Sequence, residues 1–234
     1  MYKNKSILAI IPARGGSKGL PQKNILPLVN KPLIAWTIKQ ALKSKYLDRV
    51  IVSTDSLEIA RISKKYSAEI PFLRPSGLAS DKAKMTDVVL HVIDWLKKRG
   101  KIYDLIMLLQ PTSPLRSSED IDKSIKLLFK KKARAIVSVC VSEHHPYWNT
   151  ILLRNGKIKG FLKPEFIDKN RQQLPIFYRL NGAIYLAYTS YLKSYKSFLG
   201  SSTYAYIMSP ERSVDIDSTF DFKFAEFLLS RKAF

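Results

Sequence analysis

Thirteen residues near the start, Pro12 to Asn24, read PARGGSKGLPQKN. Gly15, Gly16 and Gly19 open backbone conformations closed to other residues and let N–H groups approach an anion closely. Arg14, Lys18 and Lys23 add cationic donors, each charge-assisted hydrogen bond contributing about 1.5–3 kcal/mol when partly shielded. Together they describe a cradle for a polyphosphate. The spacing fits neither G-x-x-x-x-G-K-S/T nor G-x-G-x-x-G, and a solvated basic turn is the alternative reading of the loop alone. Far along the chain, SVDID sets Asp215 and Asp217 two residues apart. On a strand both carboxylates would share one face while Ile216 points into the packing. Paired hard oxygens beside a phosphate site suit Mg2+, which takes carboxylates, water and substrate phosphates; a polar strand face is the plainer alternative. Gln110 closes an apolar run beside PTSPLR, where its amide can both donate and accept. His144 and His145, adjacent on an extended chain, point in opposite directions and lack any CxxC or HExxH companion, so packing or interface roles are expected.

Positioning these groups requires strands that end near one another. Ile7 to Ile11, Val50 to Val52, Leu105 to Leu109 and Ala135 to Val141 are continuous apolar runs, as in strands covered on both faces. Between them lie amphipathic helical patterns. Pro32 suits a first helical position, after which Ile34, Ile38, Ala41 and Leu42 share a face. Asp55 with Glu58 is a candidate capping box, and Thr86 and Ser118 are candidate caps for the next two helices. Strand then helix, repeated, predicts an α/β fold of three layers around a mainly parallel sheet. The Pro12–Asn24 loop would then leave the first strand at its carboxyl end, where open α/β sheets bind ligands.

The alternation fails between residues 142 and 180, where Asn155-Gly156 signals a hairpin turn among prolines and aromatics. This segment reads as a small lobe inserted into one domain spanning 1–234, and its apolar and aromatic residues make it a candidate oligomerisation surface. The chain returns with NGAIYLAY, YAYIM and SVDID and closes with the helical FDFKFAEFLLSRK.

Composition narrows the function classes. With 234 residues the chain can bury roughly 70–75% of its unfolded surface, enough for one core. No stretch reaches the roughly 18–20 apolar residues of a membrane span, and MYKNKSILAIIPARGG lacks the pattern of a signal peptide, so a cytoplasmic location without membrane association is expected. Cys140, in the apolar run AIVSVCV, is the only cysteine, which excludes an intrachain disulfide and favours a core thiol. The net charge of +21 invites polyanions. Its lysines are dispersed along the chain and not gathered in one arm, so a polyanion-binding protein is the alternative of another class and nucleic acid is not the expected partner.

The ordered set of segments ARGGSKGLPQKN, VIVSTD, LRPSGLASDKA, LLQPTSPLR, EHHP, RQQLP, NGAIY and SVDID resembles the CMP-N-acetylneuraminic acid synthetases, the acylneuraminate cytidylyltransferases. The resemblance spans nearly the whole chain. It implies a nucleotidyltransferase-type, Rossmann-like sandwich with residues 142–180 as a dimerisation lobe, a homodimer, and Mg2+-dependent transfer from CTP to an acidic nine-carbon sugar. It also implies residue roles. Ala13, Arg14, Lys18, Lys23, Asn24, Arg74 and Ala83 would bind the nucleotide. Gln110, Arg171, Arg179, Asn181 and Tyr185 would bind the sugar. Asp215 and Asp217 would hold the metal and, with Arg14 and Lys23, carry catalysis. The chain departs from the family's pattern at Lys84-Met85-Thr86, where relatives carry small hydroxyl residues, and at Leu180, where they carry proline. N-acetylneuraminate is the first expected sugar, with legionaminate or another nonulosonate as the alternative.

Overall fold

In a computed structural model, residues 1–16, 19–161 and 163–231 are described. Six strands form the central sheet: β1 (Ile7–Pro12), β2 (Arg49–Ser53), β3 (Leu105–Leu108), β4 (Ala135–Val141), β5 (Tyr178–Tyr188) and β6 (Thr203–Ile207). Their order is β6-β4-β5-β3-β1-β2. β1 pairs in parallel with β2 and β3, and β6 in parallel with β4. The exception is β5, antiparallel to both β3 and β4, with a register shift opposite Val137–Val139. The sheet is therefore mainly parallel, with one reversed strand at its centre.

Alternation along the strands builds the layers. Ile7, Ala9 and Ile11 meet Ile34 and Ile38 of α1 (Leu33–Lys43), Ile59 of α2 (Leu57–Lys65) and Ile121 and Ile125 of α4 (Ser118–Lys130). Leu8 and Ile10 face the other way, toward Val89, Val92 and Leu96 of α3 (Met85–Lys97) and Leu192 of α5 (Thr189–Tyr195). Helices on both faces make the expected three layers, because a parallel sheet needs both faces covered. A third cluster joins Ala225 and Leu228 of α6 (Thr219–Ser230) to Ile216, Leu33 and Leu115, so the last helix closes over the acidic segment. Cys140 is buried.

Local details differ from the sequence reading at the caps. Ser56 caps α2, accepting from the Ile59 amide at 3.3 Å, because the Asp55 carboxylate is drawn off to the Gly15 amide at 3.0 Å. Ser117 forms the capping box of α4 with Asp120, one residue before the expected Ser118. Thr86 lies inside α3, which starts at Met85 after Lys84 without a side-chain cap. On α1, Pro32 is the residue before the first turn, and Leu42 stays 45% exposed while Ile34, Ile38 and Ala41 are buried.

The excursion at 142–180 contains a hairpin of Thr150–Leu152 and Ile158–Phe161, with Gly156 at φ 81° in its turn. His145 is buried there: its ring nitrogens lie 3.2 Å from the Pro175 carbonyl and the Tyr147 amide, among the rings of Tyr147, Trp148 and Phe177. That environment is packing, as expected from adjacent histidines.

Candidate active site

β1 has β2 on one side and β3 on the other, so the chain changes winding direction there and leaves a crevice beyond the carboxyl ends. A cavity of about 380 Å³ fills this crevice, walled by Arg14, Lys23, Asn24, Arg74, Gln110 and Asp217, with Gly19 and Met85 at its edges. The loop after β1, the segment after β3 and the stretch before α6 all meet in it.

Cations and carboxylates are interlocked. Lys23 opens a short 3-10 turn, Lys23–Ile25, and its Nζ donates to the Ile216 carbonyl and to Asp217 Oδ1, both at 2.8 Å. This contact ties the first loop to a segment 193 residues later. Arg14 reaches Asp81 at 2.6 Å, and Asn24 donates to the Arg14 carbonyl at 3.1 Å. Arg74 is 5% exposed, with Nε and Nη2 lacking hydrogen-bond partners, and Asp55 stands 3.6 Å away. Burial lowers the pKa of its guanidinium, Asp55 opposes this, and the charge of Arg14 lowers it further. Donors held dry and unsatisfied beside a cavity suit an incoming anion.

Asp215 and Asp217 do not lie on a strand; the segment is extended but irregular, attached through the Ile216 amide to the Thr112 carbonyl at 2.9 Å. Ile216 is nevertheless fully buried. Asp215 Oδ1 is buried without a partner. Burial raises the pKa of this carboxyl and Asp217 adds to the rise, while Thr112, Lys23 and Arg179 pull the other way. An orphaned buried oxygen beside a second carboxylate fits a hard dication, which would supply the missing partner. Among the described residues no cluster of three or more His, Cys, Asp or Glu could hold a metal ion. Two carboxylates suffice for Mg2+ only if waters and substrate phosphates complete the shell.

Two glycines are required here. An added Cβ on Gly19 would sit 2.4 Å from the Asp217 carbonyl oxygen. At Gly182, φ is 73° and a Cβ would fall 2.5 Å from Gln110 Oε1 and 3.2 Å from Asp215 Oδ2. The reversed β5 thus brings bare backbone against the amide and the carboxylate.

The remaining expected residues divide. Ala13 is buried at the end of β1, its amide bonded to the Ser53 carbonyl at 3.0 Å. Ala83 lies in the loop before α3, and it is Met85 that enters the cavity wall. Arg179 bonds the Ser213 carbonyl at 3.5 Å, and Tyr185 is half-buried, its pKa raised by burial and by Asp215. Arg171 is placed on the lobe, donating to the Ser142 carbonyl at 3.3 Å, and does not line the cavity of its own chain. The Asn181 side chain is fully buried, taking a bond from Ser138 Oγ at 2.6 Å and giving one to Ser213 Oγ at 2.9 Å, so it braces the site from below. Lys18 lies outside the described residues.

Arg116 was missed by sequence reasoning. It is 1% exposed and donates to the Ala183 carbonyl at 2.7 Å, the Gln110 carbonyl at 3.3 Å and Thr37 Oγ1 at 2.8 Å. Burial lowers its pKa to about 9, with Asp120 opposing. The available signal was an arginine directly after the uncharged LLQPTSPL segment. It clamps the strand end bearing Gln110 to the reversed strand bearing Gly182.

A glycine-lined, cation-rich crevice with a carboxylate pair at the sheet's switch point defines a nucleotide-handling α/β transferase. The chain belongs to the cytidylyltransferase family, whose pattern matches residues 8–196. The N-acylneuraminate cytidylyltransferase of Escherichia coli O18:K1:H7 is 39% identical over 97% of this chain and 52% of its own length. The CMP-N,N'-diacetyllegionaminic acid synthase of Legionella pneumophila is 36% identical over 95% of this chain and 96% of its own. Among solved structures, CMP:2-keto-3-deoxy-manno-octonic acid synthetase complexed with CTP superposes with a TM-score of 0.73 at 15% identity, covering 97% of this chain and 99% of that one. That last likeness bears on the fold. The chain is a nucleotidyltransferase enzyme of the CMP-sialic acid synthetase kind, and the polyanion-binding alternative is not favoured.

Proposed function

We propose that the protein activates a nonulosonic acid: the anomeric oxygen of the sugar bonds to the α-phosphorus of CTP, the bond to the β-phosphate oxygen breaks, and pyrophosphate leaves with the anomeric proton lost to solvent. The observation that carries this reading is the single cavity that gathers Arg14, Lys23, Arg74 and Asp217, with the buried, partnerless oxygen of Asp215 two residues from Asp217.

Mg2+, when held by Asp215 and Asp217, supplies charge neutralisation for the phosphates. Lys23 and Arg14 exchange their carboxylate contacts for phosphate oxygens and stabilise the negative charge that accumulates there. Arg74 offers its unpartnered donors to the nucleotide, and Met85 provides an apolar wall where the relatives' hydroxyl residues would stand. Gln110, Arg179 and Tyr185 are the sugar-side residues, with Gln110 set against the bare backbone of Gly182. Catalysis on this arrangement is mostly positioning plus electrostatics.

Relatives of nearly equal identity are named for acylneuraminate and for diacetyllegionaminate, so the chain's own sugar is the finer question. N-acetylneuraminate is the first substrate to test. The lobe exposes Ile151, Leu152, Ile158 and Ile176 at 55–70%, which supports a homodimer formed through it. Arg171, on this lobe, would contribute to sugar binding only in such an assembly.

Pyrophosphate release is measured with CTP and Mg2+, N-acetylneuraminate and N,N'-diacetyllegionaminate in parallel, and ATP, GTP and UTP as controls. Release with CTP and one of the sugars is expected. Saturable release with CTP and neither sugar, or with ATP in preference, would overturn the proposal.

A further inference from the structure

A second cavity, larger than the crevice at about 530 Å³, lies at the opposite end of the sheet, where β1 and β3 begin. Its floor is apolar: Leu8 and Ile106 from the strands, Ile93 and Leu96 from α3, all buried. Tyr103 and Tyr188 add ring surface, and Ile102 stands on the lip, 72% exposed.

The rim is charged, and its charges do not cancel. Lys5 is bound to Asp104 at 2.9 Å, and Lys193 to Asp94 at 3.3 Å. Lys97, Lys101 and Arg134 also line the cavity, and among the described residues none of the three has a carboxylate partner. Arg134 instead lies over the Tyr188 ring at 5.7 Å. Three uncompensated cations around an apolar basin of this size favour one kind of occupant. A purely apolar molecule would leave the cations unanswered. A bare inorganic anion would leave the floor uncovered.

We propose that this cavity is a second binding site, separate from the crevice, for a small organic anion with an aromatic or aliphatic body, the body on the Leu8–Ile106 floor and the anionic group between Lys97, Lys101 and Arg134. The site is independent of the nucleotide reading. Leu8 and Pro12 belong to the same strand, so the two cavities are separated by roughly 13 Å of β1 at about 3.3 Å per residue.

The probe is 8-anilinonaphthalene-1-sulfonate, titrated by fluorescence against the full chain, with N-phenyl-1-naphthylamine as its uncharged counterpart and inorganic phosphate as an anion without a body. The expected result is one saturable site per chain, at least tenfold weaker for the uncharged compound and not displaced by millimolar phosphate or by CTP with Mg2+. The double variant Lys97→Glu, Lys101→Glu should weaken binding at least tenfold while leaving the melting temperature and pyrophosphate release unchanged. The variant Ile151→Lys, Leu152→Lys, on the apolar lobe, should leave probe binding unchanged. Displacement by CTP would place the probe in the crevice and overturn the proposal; so would indifference to charge reversal, or loss of binding in the lobe variant.

Discussion

At the carboxyl end of the parallel strands, polar atoms are buried without partners: Nε and Nη2 of Arg74, and Oδ1 of Asp215. At the amino end, charges ring an apolar floor and stay in contact with water, two of them already paired with aspartates. The first arrangement costs folding free energy, because a desolvated polar group without a hydrogen bond loses about 1–3 kcal/mol. The second costs little, since exposed lysines keep their hydration. At the first of these, ligand atoms can supply what the fold withholds.

Breaking this contrast starts with Asp215→Asn. Turnover should fall on the order of 10² to 10³-fold, because stabilisation of phosphate charge is removed. The same variant should melt higher than the parent at pH 7. Burial and Asp217 raise the folded-state pKa of Asp215, so the folded chain holds more protons than the unfolded one between the ordinary carboxylate value and the raised value. Stability therefore declines as pH rises through that window, and the asparagine variant lacks this slope. Calorimetry from pH 3 to 8 reads it; a lower melting temperature at pH 7 would contradict the cost assigned to the site.

Next in size is Arg116→Met, which takes the Arg116 donor from the buried Ala183 carbonyl and one of several donors from the Gln110 carbonyl; a loss of about 2–5 kcal/mol is expected by denaturant unfolding. Arg116→Lys should recover part of the stability but less of the sugar KM, since an ammonium cannot reproduce the fork that holds Gln110. Gly182→Ala comes third, at about 1–3 kcal/mol from the left-handed backbone alone, with an added rise in KM as Gln110 is displaced. The smallest effect is at the opposite end. Ile102→Ser, on the exposed lip, should change stability by no more than about 0.5 kcal/mol, and a larger change would mean that the second cavity is part of the core.

Much of the fold was legible along the chain. Apolar runs marked β1 to β4 because strands covered on both faces have no polar side to dilute them, and helical periodicity marked the intervening helices. The caps of α2 and α4 were legible to within one residue and that of α3 was not, and Asp55 was misplaced because a carboxylate suited to a helix end also suits a loop amide, and only the approach of Gly15 decided between them. The candidate site was legible as residue types. Arg14, Lys23, Asn24, Arg74, Gln110 and Asp217 do share one cavity. The burial of Asn181 and Arg116 was not, since a buried asparagine and an exposed one look alike in a sequence, and a buried arginine announces itself only through what surrounds it.

The sequence by itself determined the glycine loop's capacity to approach an anion, the spacing that lets two aspartates act together, and the strand and helix periods, because these depend on residues near one another in the chain. Tertiary structure decided that β5 runs backwards through the sheet's centre and places Gly182 against Gln110. It also decided that Lys23 clasps Asp217 across 194 residues, and that a second cavity gathers charge from four separate stretches of the chain. Those outcomes depend on which distant surfaces meet once the apolar faces are buried.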